Sequence, residues 1–192
     1  MSVLVSKKVH RRDRIRNVEF EERLLKLARV TKVVEGGRIF SFSALITIGN
    51  KNGCIGIGLG KSLDVNGAKR KAINDAKNNL YNIVVTKLNT IPHEVKASFG
   101  GAKVMIKPAR PGTGIIAGGS MRLMFECLGL KDVIAKSFGS NNPYNVTKAT
   151  INALMMLKSD KFLRMFRESA ISKQSVAQFS NSVAEAEKSL QG

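Results

Sequence analysis

Phe40-Ser41-Phe42-Ser43-Ala44-Leu45-Ile46-Thr47-Ile48, then Gly49-Asn50-Lys51-Asn52-Gly53, then Cys54-Ile55-Gly56-Ile57-Gly58-Leu59, is the stretch that decides how this chain is built. Phe40, Phe42, Ala44, Ile46 and Ile48 alternate with Ser41, Ser43, Leu45 and Thr47. That two-residue period predicts a strand with one buried face and one mostly polar face. The Gly/Asn run predicts a hairpin turn, and Cys54 to Leu59 the returning strand. On that strand Ile55, Ile57 and Leu59 share one face, and Gly56 and Gly58 the other. Glycine on a strand face admits another backbone or a ligand at close range.

Working upstream, Glu35-Gly36-Gly37-Arg38 reads as a turn. Residues 20–34 fit two patterns. Leu24, Leu27 and Ala28 suit a helix, whereas Leu25, Leu27, Arg29 and Thr31 suit one strand face, and the residues alone leave both open. Downstream, Asp64 is a candidate N-cap for a long helix over 65–85, with Ile73, Ala76, Leu80 and Val84 as its core stripe. Lys69, Arg70, Lys71 and Lys77 fall in or near the N-terminal half of that helix, where cations oppose the dipole; an external anion explains them better. Residues 86–93 read as a linker closed by Pro92.

A second unit follows. His93 to Phe99 and Ala102 to Pro108 predict a hairpin across Gly100-Gly101. Pro108 to Gly119 is a glycine-rich loop running into an amphipathic helix, with Ser120 or Gly119 as N-cap and Leu123, Met124, Cys127 and Leu128 at helical spacing. Val133 to Phe138 predicts a strand. Asn142-Pro143 opens a helix to about Leu157, with proline at its favoured first position and Val146, Ala149, Ala153, Leu154 and Leu157 inward. Residues 159–192 read as a polar tail with weak helical patches.

Lysine and arginine number 32 against 14 acids in 192 residues, a net charge of +18. That excess implies a polyanionic partner, most often nucleic acid. Two cysteines, Cys54 and Cys127, make neither a disulfide framework nor a four-ligand metal site, and both lie in apolar runs that suit core packing. His10 and His93 are too few and too far apart in sequence for a histidine-based centre. No apolar run reaches the roughly 18 residues of a membrane span. The glycine loops fail as nucleotide sites: Gly114 to Ser120 has no lysine, and Gly56 to Ser62 has one residue too few between its glycines. Residues 1–17 carry Lys7, Lys8, Arg11, Arg12, Arg14 and Arg16 against Asp13, the composition of an arm that orders on RNA phosphates.

Gly36 to Leu45, Gly53 to Lys61, Pro108 to Arg122 and Ala135 to Pro143 together resemble the bacterial small-subunit ribosomal protein five, the S-five family, over about residues 24–157. The resemblance implies an α+β fold of two domains. The first, over 22–88, is similar to a double-stranded-RNA-binding domain with three strands and a helix, which makes 24–34 a strand. The second, over 89–158, is a sheet with two helices and a left-handed βαβ crossover. Residues 1–21 and 159–192 are a basic arm and a polar tail.

The resemblance further implies a non-enzymatic protein with no catalytic residues, cofactor or metal. GHMP-type kinases share the crossover, but the stretch 112–120 has no charged residue to serve one. The family binds small-subunit rRNA near the head–body junction, touches ribosomal proteins four and eight, borders the mRNA entry channel and influences decoding accuracy. The segment Thr31 to Arg38 falls by the spectinomycin site, and the setting is the cytoplasmic or an organellar small subunit. Expected RNA contacts are Arg11, Arg12, Arg14, Arg16, Arg29, Lys32, Gly36, Gly37, Arg38, Lys61, Lys69, Arg70, Lys71 and Lys77. Expected protein-partner contacts are Gly112, Thr113, Gly114, Gly118, Gly119 and Arg122. Glu35 stands where the family commonly has lysine, so it is left out, and Arg110-Pro111 stands where the family varies.

Overall fold

Ala44, Ile46 and Ile48 turn inward as their spacing predicts, but Leu45 and Thr47 are buried as well. The computed structural model, which describes residues 7–8, 20–86 and 88–158, shows why. The first sheet runs in the order β1 (Lys7–Lys8), β5 (Leu80–Asn82), β4 (Cys54–Ser62), β3 (Gly37–Gly49), β2 (Glu21–Val34), with every pair antiparallel. Ala44, Ile46, Ile48 and Cys54 pack on helix α1 (Val65–Asn78) through Ala68, Ala72 and Ala76. Leu45, Ile55 and Ile57, on the other face, join the core of the second half beside Met121, Phe125 and Leu128. The strand predicted to have one polar face is covered on both, and the Thr47 hydroxyl is satisfied by donating to the Gly56 carbonyl at 3.1 Å.

β2 settles the ambiguity of 20–34: it is one long strand, with a register shift between Leu24 and Lys26. The predicted long helix is shorter than expected. α1 stops at Asn78, where the Asn79 amide donates to the carbonyl and the side chain of Asp75, both at 3.1 Å. Leu80 then enters the sheet as β5, opposite Gly56. The buried stripe of α1 is accordingly alanine, with Ile73 half-buried. Asp64 holds the N-cap position in extended conformation but makes no side-chain cap bond.

The glycines of β4 are answered by another backbone. A Cβ on Gly56, Gly58 or Gly60 would overlap main-chain atoms of Ala76, Ala72 or Ala68. Small residues on both sides let α1 lie directly on the strand, which leaves no room there for a ligand.

The second sheet runs β6 (Val95–Phe99), β7 (Ala102–Pro108), β9 (Val133–Gly139), β8 (Ile115–Ile116). β8 pairs parallel to β9, and α2 (Gly119–Leu128) makes the crossover between them. At two residues β8 is too short to show a period, and it was not expected from the sequence. The N-cap of α2 is Gly118, not Ser120 or Gly119: its backbone is extended while its carbonyl accepts the first helical bond from Arg122 N at 2.9 Å. α3 (Pro143–Met155) opens as predicted, with the Asn142 side chain accepting from Tyr144 N at 3.2 Å.

The halves also meet through backbone hydrogen bonds. In the β3–β4 turn, Lys51 N donates to Cys127 O at 3.0 Å and Gly53 N to Leu128 O at 3.2 Å, satisfying carbonyls at the end of α2. Gly129 closes that helix in the left-handed region at φ 88°. Cys54 and Cys127 are both free and buried, as expected.

Candidate nucleic-acid interface

β4 ends with Ser62 opposite Phe42, whereas β2 and β3 stay paired out to Val34 and Gly37. A two-stranded ribbon therefore projects beyond the sheet. The segment Thr31 to Arg38 is the paired end of this ribbon, closed by a tight turn at Glu35-Gly36. Continuous ladder bonds hold its shape. Only Gly37 needs glycine's freedom, at φ 131°, whereas Gly36 lies outside the positive-φ region. Both have open space around an added Cβ. Arg38 is exposed at the tip, across from Val33, which is 74% exposed.

Behind the ribbon lies an open cleft of about 610 Å³. Lys32 from β2, Lys61 from β4 and Lys71 from α1 line it, with Ser41, Ser62 and a single acid, Asp64. Three cations from three different elements thus share one opening. Among the described residues none of Lys32, Arg38, Lys61, Lys69, Arg70 or Lys71 is in an ion pair. By contrast, Arg23 and Lys51 share Glu21 at 2.6 and 2.8 Å. The hydrogen bond from Lys51 is the main reason the Glu21 carboxyl titrates below its usual range.

Other expected residues fall differently. Arg29 lies over the Phe40 ring, its Cζ 3.8 Å from the centroid, so part of its charge is spent on a cation–π contact. Lys77 sits in the last turn of the shortened α1, where a cation suits the dipole. The need for an external anion therefore applies only to Lys69, Arg70 and Lys71. Arg11, Arg12, Arg14 and Arg16 lie outside the described residues.

The glycine-rich loop divides in two. Gly118, Gly119 and Arg122 line a cleft of about 710 Å³ together with Leu25, Lys26 and Ser137. Arg122 Nε donates to Glu126 Oε1 at 3.3 Å. Gly112, Thr113 and Gly114 lie outside that cleft. Thr113 N donates to Arg110 O at 3.1 Å, and Gly114 is held by a residue that sequence reasoning missed: buried Asp132, whose Oδ1 accepts from Gly114 N at 2.9 Å. No periodicity marks Asp132, because its partner is far away in the chain.

No cluster among the described residues could hold a metal ion, and no helix there is long and apolar enough to cross a membrane. The arrangement is that of a basic, two-sheet α+β protein with three lysines gathered at one open cleft. The description "Ribosomal protein S5, N-terminal domain" matches residues 20–84, and "Ribosomal protein S5, C-terminal domain" matches residues 97–166. The chain is 48% identical over 166 residues to the small ribosomal subunit protein uS5 of Bacteroides thetaiotaomicron, covering 86% of this chain and 96% of that one. It is 51% identical over 142 residues to the uS5 of Flavobacterium psychrophilum, covering 74% and 81%. It is 48% identical over 144 residues to the uS5c of Guillardia theta, covering 75% and 85%. The chain belongs to the ribosomal protein S5 family, a family of structural proteins rather than enzymes.

Proposed function

We propose that this chain, a structural constituent of the small ribosomal subunit, docks on rRNA through the β2–β3 ribbon and the lysines around the cleft behind it. The observation that carries the reading is the convergence of Lys32, Lys61 and Lys71 from β2, β4 and α1 on one opening. Unpaired cations at fixed spacing suit the phosphates of a structured RNA, which is recognised chiefly by shape and backbone. Lys69 and Arg70 on α1 and Arg38 at the tip extend the same surface. Arg11, Arg12, Arg14 and Arg16 add a basic arm.

In this reading the ribbon tip faces the spectinomycin site near the head–body junction and the mRNA entry channel. The Gly118–Arg122 edge packs against ribosomal protein four, the chain also touches ribosomal protein eight, and the protein influences decoding accuracy. The cleft at Gly118 offers small residues and a paired arginine, which suit protein packing better than phosphate.

The deciding experiment is RNA binding by the full chain across a salt series. Lys61→Gln with Lys71→Gln should flatten the salt slope by about 0.9 for each lost contact to a duplex. An unchanged slope overturns the cleft as the RNA site. In cells, Arg38→Ala should alter spectinomycin sensitivity, whereas Gly118→Val should shift decoding accuracy and leave rRNA affinity intact.

A further inference from the structure

Among the described residues the second sheet has one face packed on α2 and α3 and one face open. Val95, Ala102, Val104, Ile106, Val133 and Ala135 point into the core. The opposite face is laid out by register. Lys96 pairs with Met105 and Met105 with Lys136; in the next row Ser98 pairs with Lys103 and Lys103 with Phe138. Lysines therefore alternate with Met105, Ser98 and Phe138 across and along the strands. Diagonal neighbours such as Lys96 and Lys103 stand about 7–8 Å apart. A shallow groove of about 510 Å³ runs between Lys96, Lys103, Met105 and Phe138. Phe138 is 49% exposed. The acid on this side is Glu94, which Lys96 and Lys107 share at 3.7 and 3.3 Å. Among the described residues Lys103 and Lys136 are in no ion pair.

We infer that this open face is a second RNA-contact surface, separate from the ribbon and its cleft, and that it takes an unpaired strand. The inference rests on the reading that the chain docks on rRNA. Charge complementarity selects a polyanion, because free lysines outnumber the one shared acid. The exposed apolar groups select an unpaired strand over a duplex. A duplex presents phosphates and sugars, which would leave Phe138 and Met105 without a partner. An unpaired strand offers phosphates to Lys103 and Lys136 and base faces to Phe138.

The test compares binding of the full chain to a uridine oligomer of about 12 nucleotides and to an RNA duplex of about 16 base pairs. Lys103→Gln with Lys136→Gln should lower the single-strand salt slope by about 1.4. Phe138→Ala should weaken single-strand binding about tenfold. Both variants should bind the duplex normally, which also shows that they are folded. Lys61→Gln with Lys71→Gln should do the reverse. Single-strand binding unchanged in both sheet variants overturns the inference and leaves the ribbon reading standing. Failure of the unsubstituted chain to bind either RNA sinks both together. In assembled subunits, a photo-crosslinker placed at Phe138 should capture RNA, and capture of ribosomal protein alone overturns the assignment.

Discussion

Gly58 of β4 lies so close to Ala72 of α1 that a methyl group on Gly58 would overlap the Ala72 carbonyl oxygen. Main chain meets main chain across this contact, so neither side can give way by changing a rotamer. Gly58→Ala should cost about 2 kcal/mol by overpacking. The reverse reduction, Ala72→Gly, should cost about 1 kcal/mol through helix propensity. Urea unfolding at constant m-value reads both. A neutral Gly58→Ala would show that α1 can lift off the sheet.

The ribbon tip distinguishes two adjacent glycines. Gly37 has φ 131° and Gly36 does not, although neither is crowded. Gly37→Val should cost about 1–3 kcal/mol in backbone strain, whereas Gly36→Val should be nearly neutral in stability. Thermal unfolding of the two variants measures the difference, and equal losses would contradict the turn geometry.

Asp132 anchors the glycine loop by accepting from Gly114 N at 2.9 Å. Asp132→Ala removes that acceptor and should cost about 1–3 kcal/mol, with faster hydrogen exchange at the Gly114 amide. Asp132→Asn keeps a carbonyl oxygen there and should restore most of the protection. If alanine and asparagine behave alike, the loop is held by something else.

Burial pushes the Cys127 thiol up from 9.0 to about 11, helped by the Glu21 and Glu126 carboxylates. A folded pKa above the unfolded one means that the folded chain holds its proton longer. The contribution is therefore fully present below about pH 9 and is lost as pH rises through about 11. The stability difference between the parent chain and Cys127→Ala should shrink over that window in urea titrations. Native protein at pH 8 should also resist thiol reagents at Cys54 and Cys127 until it unfolds.

Much of the first sheet could be read locally. Phe40 to Ile48 carries its period in adjacent residues, Gly49 to Gly53 announces the turn, and Asn142-Pro143 marks a helix start that the structure reproduces. These features depend on backbone preference and face alternation, which act over a few residues. The excess of cations needs only counting.

By itself, then, the sequence determined that there are hairpins and amphipathic helices, that both cysteines are core residues, and that the protein is strongly basic. Only the tertiary structure decided that Leu45 and Thr47 are buried, because the second cover on β3 comes from residues far along the chain. It decided that α1 stops at Asn78, because Leu80 gains a ladder partner in β4. It also decided which lysines meet. Lys32, Lys61 and Lys71 share a cleft because the fold brings β2, the end of β4 and the middle of α1 together there. Lys96, Lys103 and Lys136 share a face because pairing register sets them side by side. Neither grouping has a local signal, since charge carries no period until the fold places it.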